Sequence, residues 1–150
     1  MVSIMSSNIE FNQSKFDIFC KRYNLKFPQV FIDFLSKYND GELNSNIVDG
    51  FDECSVRYFY GTTSEEYSDI ESTFKCFTGR MPLNCIPIAE AEGGNLVCMS
   101  LDSAETFGKI YYWDHETMDV DDGEACKYSI TSMPQLAASF KEFLDKIIEC

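Results

Sequence analysis

His115 is the only histidine in the chain, and it stands between Asp114 and Glu116. A serine triad would have to use it as general base, but no Gly-flanked serine of the nucleophile-elbow kind is present. His115-Glu116 opens like a zinc-protease motif, yet Asp119 stands where the second histidine is needed. The stretch 119–124 has the acidity of a calcium loop. With Gly123 at the sixth position, however, the first, third and twelfth positions fall on Met118, Val120 and Ser129. Gly93-Gly94 lacks the Lys-Ser/Thr of a phosphate cradle, and no Gly-x-Gly-x-x-Gly occurs. The seven cysteines (Cys20, Cys54, Cys76, Cys85, Cys98, Cys126 and Cys150) are odd in number and contain no Cys-x-x-Cys pair. Zinc-ribbon and thioredoxin-type chemistry are thereby removed. The 25 Asp and Glu offer many carboxylate pairs, but none stands in an apolar setting that would raise one pKa for glycoside hydrolysis. The expectation is a protein without catalytic residues, metal or cofactor, one that binds rather than catalyses.

What remains is charge. Against 12 Lys and Arg, the 25 acids give a net charge of −13. Residues 40–124 hold four basic and nineteen acidic groups, a net of −15, between two nearly neutral ends. Such a balance argues against nucleic acid, which is bound through cations, and against an anionic membrane surface. One dense stretch holds Asp114, Glu116, Asp119, Asp121, Asp122 and Glu124 without a Lys or Arg; a second holds Asp40, Glu42, Asp49, Asp52 and Glu53. Acidity of this kind serves solubility, or forms a docking face for a basic partner. For the second reading, the partner-binding candidates are Asp49, Asp52, Glu53, Asp114, Glu116, Asp119, Asp121, Asp122 and Glu124. Aromatic anchors beside them would be Tyr58, Tyr60, Tyr111 or Tyr112, each of which also reads as sheet packing.

The elements that must position these residues follow from periodicity. A chain of 150 residues with 45% apolar content suits one domain with its own core, spanning 1–150. Phe16, Phe19, Cys20 and Tyr23 predict a helix over 12–24. Phe27, Val30, Phe31, Phe34, Leu35 and Tyr38 mark one face of a second, opened by Pro28 and closed by Gly41 as a left-handed cap. Residues 42–54 read as a loop and 55–61 as a strand. Thr63 and Glu66 form a capping box ahead of a helix over 64–77. Strands follow at 85–90, 95–101 and 108–114, the first two joined at Glu92-Gly93-Gly94-Asn95. A short strand at 127–130, a capping box of Ser132 and Gln135, and a helix over 133–148 complete the chain. The fold class is α+β: a mostly antiparallel sheet of about four to six strands with an N-terminal helix pair and a C-terminal helix packed on it. No run approaches a membrane span, and residues 1–10 lack a basic segment followed by an apolar one. Free thiols in a reducing cytoplasm are expected.

The order and spacing of several segments resemble a known family. These are LKFPQVFIDFLSKYNDGEL (25–43), RYFYGT (57–62), IPIAEAEGGNLVCMSL (86–101), GKIYYWDHE (108–116) and SFKEFLDKI (139–147). Together they are similar to the SUKH superfamily of SMI/KNR-type domains, over about residues 11–148. The resemblance implies an α+β domain without catalytic activity. Bacterial members are typically immunity proteins that bind and neutralise the toxin domain of a secreted or contact-delivered effector, often a nuclease. The implied partner is a cognate toxin, and this chain's own acidity points to one with a basic surface; the implied location is cytoplasmic. Yeast members imply an alternative, a regulatory scaffold of the cell-wall-synthesis kind. Gly94, Asn95 and Trp113 are read as fold-determining residues: glycine for the turn, tryptophan for packing.

Overall fold

Helix α1 (Gln13–Tyr23) starts at Asn12, whose side chain accepts the Lys15 N–H, and stops at Asn24 in a left-handed conformation (φ 54°). It buries Phe16 and Phe19. Helix α2 (Gln29–Tyr38) follows Pro28 and buries Phe31, Phe34 and Leu35. These features belong to a computed structural model, which describes residues 4–5, 9–120 and 126–149. The end of α2 departs from expectation: the left-handed residue is Asp40 (φ 55°), not Gly41. Gly41 is required for space instead, because a Cβ there would lie 2.8 Å from Ile4 Cγ2 and 2.9 Å from the Tyr38 carbonyl oxygen.

The described strands form one antiparallel sheet: β1 (Ile4–Met5), β2 (Glu42–Val48), β3 (Phe51–Phe59), β4 (Cys85–Ala91), β5 (Leu96–Ser100), β6 (Ile110–Trp113) and β7 (Gln135–Ala137), ordered as numbered. An eighth, β8 (Ile147–Glu149), pairs with β2. The class is α+β as expected, but the sheet is larger than four to six strands. Its largest surprise is 42–54, expected as a loop. Val48 pairs with Phe51 across a two-residue turn, Asp49-Gly50, with Gly50 at φ 84°. Glycine reaches that conformation without steric cost, and Asp-Gly is a strong hairpin signal.

Further corrections concern helix starts. Residues 64–69 are not helical. Thr63 Oγ1 accepts the Glu65 N–H at 3.2 Å and bonds Ser68 Oγ at 2.9 Å, making a tight turn, and helix α3 (Ile70–Phe77) is capped by Asp69. Residues 127–130 form no strand. The long helix over 133–148 is three pieces: β7, helix α5 (Phe140–Lys146) and β8. Ser139, not Ser132, is the cap. Its Oγ accepts the Glu142 N–H at 3.1 Å, while Glu142 accepts the Ala138 N–H at 3.0 Å. Tertiary pairing overrides the helical pattern here, since Ala137 and Gln135 supply the outer partners of Ile110 and Tyr111 on β6.

The core joins α2, α5 and β3 through edge-on aromatic contacts. Phe34 lies 4.8 Å from Phe59 and 5.1 Å from Phe140, and Phe31 lies 5.1 Å from Phe140. All are buried, each worth roughly 1.5–3 kcal/mol. A short helix, α4 (His115–Met118), follows β6.

Candidate functional site

Successive residues of a strand face opposite sides of the sheet. On β3, Phe59 enters the aromatic core and Tyr58 points the other way. The Tyr58 ring stands edge-on to Tyr60 at 5.7 Å and to Tyr67 at 6.3 Å, and its hydroxyl donates to the Tyr67 carbonyl at 3.3 Å. Beside it the surface is hollowed into a cavity of about 460 Å³, into which Asp40, Glu42, Arg57, Glu90 and Glu92 project. Arg57 Nη1 binds Glu90 Oε2 at 3.1 Å. Among the described residues, no lysine or arginine pairs with Asp40, Glu42 or Glu92. Burial, reinforced by the charge of Glu42, pushes the Asp40 carboxyl up to about 6. Burial and the nearby Glu90 raise the Tyr58 hydroxyl, which stays protonated. A second cavity of about 740 Å³ runs between α3 and the β4–β5 hairpin and shares Tyr67 and Glu90 with the first.

The hairpin itself is tied to β6 and α4. Asn95 Nδ2 donates to Tyr112 Oη at 2.5 Å, and Asn95 Oδ1 accepts the His115 N–H at 3.0 Å. A Cβ on Gly94 would meet the His115 ring at 3.5 Å. Trp113 is fully buried and packs edge-on against Phe77 at 5.3 Å. The Gly-Gly-Asn and Tyr-Tyr-Trp-Asp-His segments thus hold each other in place. His115 sits in this lock, beside no serine or cysteine nucleophile with which it shares a hydrogen bond among the described residues.

The sequence-derived candidates land unevenly. Asp49 is exposed at the β2–β3 turn, its N–H donating to the Lys146 carbonyl at 2.7 Å. Asp52 and Glu53 are on β3, but their side chains lie outside the described residues. Asp114 spends its carboxylate on the Glu116 N–H at 2.9 Å as the cap of α4, and Glu116 is exposed. Asp119 is answered internally: Arg80 Nε and Nη2 grip it at 3.0 and 2.5 Å and hold its carboxyl below the usual range. Asp121, Asp122 and Glu124 lie outside the described residues. Tyr60 and Tyr111 are buried, with relative exposures of 2% and 3%, so neither offers a partner a ring face on the surface. Tyr112 is likewise buried. Tyr58, half-buried, is the aromatic candidate that meets carboxylates.

None of those carboxylates is among the sequence-derived candidates. Asp40 and Glu42 flank Gly41, where the chain leaves α2 for β2. Glu90 and Glu92 flank the last residue of β4 beside the Gly-Gly turn. The Asp-Gly hairpin at 49–50 was the available signal, because it turns 42–48 into a strand and lays Glu42 beside Tyr58. Elsewhere, thiol chemistry is suppressed where the cysteines are covered. Burial pushes Cys54 up to about 12, and burial with Asp17 pushes Cys20 up to about 11. Among the described residues no group of three or more His, Cys, Asp or Glu could hold a metal ion. No helix among them is long and apolar enough to cross a membrane.

The SPbeta prophage-derived uncharacterized protein YokK of Bacillus subtilis (strain 168) is 28% identical over 144 residues, covering 83% of this chain and 68% of the relative. The SMI1 / KNR4 family (SUKH-1) matches residues 11–146, almost the whole described fold, and the chain belongs to that family.

Proposed function

We propose that this chain is an immunity protein: it binds a cognate toxin domain and neutralises it in the cytoplasm by covering the toxin's basic working surface, without catalysis. The observation that carries the reading is the acidic hollow beside Tyr58, where Asp40, Glu42 and Glu92 have no cation of their own among the described residues. A toxin that acts on an anionic substrate must display cations, and a molecule of net charge −13 attracts them over long range. Membership of the SMI1 / KNR4 family and a prophage-derived relative support the same reading. Of the sequence-derived candidates, the exposed Asp49 and Glu116 add to this long-range attraction, and Asp121, Asp122 and Glu124 add to it through the net charge.

The decisive experiment is co-expression with the toxin domain encoded beside this gene, scored by growth rescue and co-purification. Rescue with a stable complex that weakens as salt rises is expected. Growth arrest despite well-folded, abundant protein would refute it.

A further inference from the structure

Two buried residues that line the larger cavity carry hydroxyls without a partner among the described residues. Tyr60 and Thr73 are only 2% and 6% exposed, and both line the 740 Å³ space between α3 and the β4–β5 hairpin. Neither the Tyr60 Oη nor the Thr73 Oγ1 makes a hydrogen bond among the described residues, although Thr73 donates its backbone N–H to the Asp69 carbonyl at 3.0 Å. Buried polar groups are almost always bonded, so two bare hydroxyls on residues that line one cavity, beside Lys75 and Glu66 at its wall, mark a place that can receive something polar. The neighbouring 460 Å³ hollow supplies the opposite chemistry: Asp40, Glu42 and Glu92 answer no cation among the described residues, while Arg57 is taken by Glu90. Tyr67, 66% exposed, and Glu90 belong to both walls, so the two spaces adjoin along the sheet face. An extended chain with side chains alternating along it fits such a trough better than a compact ligand.

We propose that the two cavities are one docking groove for an extended basic segment of the partner protein, with an arginine or lysine between Glu42 and Glu92 and an adjacent polar group bonded to the hydroxyls of Tyr60 and Thr73. This rests on the immunity reading for the identity of the partner, but not for the chemistry of the groove. Tyr58 and Tyr67 flank the cation with their rings, where a guanidinium gains from the aromatic face as well as from the carboxylates. Tyr60 serves from the groove floor as donor or acceptor, a role its buried ring does not prevent.

The test uses the full chain and a defined probe, the pentapeptide acetyl-Ser-Arg-Ser-Arg-Ser-amide, titrated at low salt and followed by backbone amide shifts. Shifts are expected to gather at residues 55–60, 66–76 and 90–96. The double variant Glu42→Gln/Glu92→Gln should weaken the peptide about tenfold, and Tyr60→Phe about three- to tenfold. Glu105→Gln, an exposed acid that lines neither cavity, should change it less than about twofold. Because the Tyr60 hydroxyl has no internal partner, Tyr60→Phe should melt no lower than the parent protein. Absence of binding, shifts scattered over the acidic surface, groove variants that bind like the parent, or a lowered Tyr60→Phe melting temperature would each overturn the proposal. Growth rescue separates the two readings. If the parent protects against the toxin and the groove variants protect equally, the groove fails and immunity stands. If the peptide maps to the groove while the parent gives no protection, immunity fails and the groove stands.

Discussion

The Asn39 side chain copies a strand partner for Thr62: its Oδ1 accepts the Thr62 N–H at 2.7 Å and its Nδ2 donates back to the Thr62 carbonyl at 3.0 Å. The same Nδ2 reaches the Ile9 carbonyl at 3.1 Å. One buried amide therefore fastens the end of α2 to the segment after β3, and with it Asp40, the next residue, at the rim of the acidic hollow. Asn39→Ala leaves buried backbone groups of Thr62 bare and should cost about 2–4 kcal/mol in urea unfolding. Asn39→Asp should lose nearly as much, since a carboxylate accepts from the N–H but cannot donate to either carbonyl.

A second buried link ties β6 to the segment after α4. Trp113 Nε1 donates to the Tyr128 hydroxyl at 2.9 Å, and that hydroxyl donates on to the Met118 carbonyl at 2.9 Å. Tyr128→Phe keeps the ring but strands the indole N–H in a fully buried site. A loss of about 1–3 kcal/mol is expected in urea unfolding. Trp113→Phe should cost more, because a cavity opens against Phe77 as well.

Sequence patterns mark Trp113 as a packing residue but do not single out Asn39, Thr62 or Tyr128. Helices α1 and α2 were legible because Phe16, Phe19, Phe31, Phe34 and Leu35 repeat at helical spacing and point into one core. Strands β4, β5 and β6 were legible because they are apolar and bounded by glycines. The β2–β3 hairpin was not, because its acidic, Asn-containing sequence lacks apolar alternation, although Asp49-Gly50 marks the turn. The C-terminal segment misled for the opposite reason. Met133, Leu136 and Phe140 repeat like a helix, yet Leu136 sits on an edge strand whose register is set by β6 rather than by local preference. The candidate site shared both errors. Once 42–54 is taken for a loop, nothing brings Glu42 near Tyr58. A dense acidic run, meanwhile, conceals that Asp119 already holds Arg80.

Two aspartates should give opposite pH signatures. Burial alone would raise Asp69, but the Lys15 ammonium at 2.9 Å and the N–H groups of Ser72 and Thr63 outweigh it and hold the carboxyl below its ordinary 3.8. Its folded pKa is depressed, so its stabilisation is present above pH 3.8 and is lost as pH falls through the folded value. Asp40 is shifted the other way, from 3.8 up to about 6. Its contribution is therefore present below pH 3.8 and is lost as pH rises through about 6. Asp69→Asn should lower stability at pH 7 by about 1–3 kcal/mol and flatten the acid limb. Asp40→Asn should raise stability at pH 7 by about 1 kcal/mol, solvent screening of a partly exposed carboxylate limiting the gain, and by nothing measurable at pH 3.5. Urea unfolding across pH 3.5–8 reads both.

Charge reversal separates acids that hold the fold from acids that meet a partner. Asp119 is spoken for by Arg80, itself stacked over the Phe77 ring at 4.5 Å from its centre. Asp119→Lys should cost about 1–2 kcal/mol of stability through repulsion with Arg80, while affinity for the toxin domain changes little. Glu92→Lys alters a carboxylate that no described cation answers, so stability should stay within about 0.5 kcal/mol. Its affinity for the toxin domain should fall about tenfold or more, mostly through a slower salt-sensitive association, because the new cation faces the partner's own. Surface-plasmon kinetics at two salt concentrations, set beside urea unfolding of the same variants, distinguish the cases. If Asp119→Lys loses binding while Glu92→Lys keeps it, the working face lies at the end of α4 and not over β3 and β4.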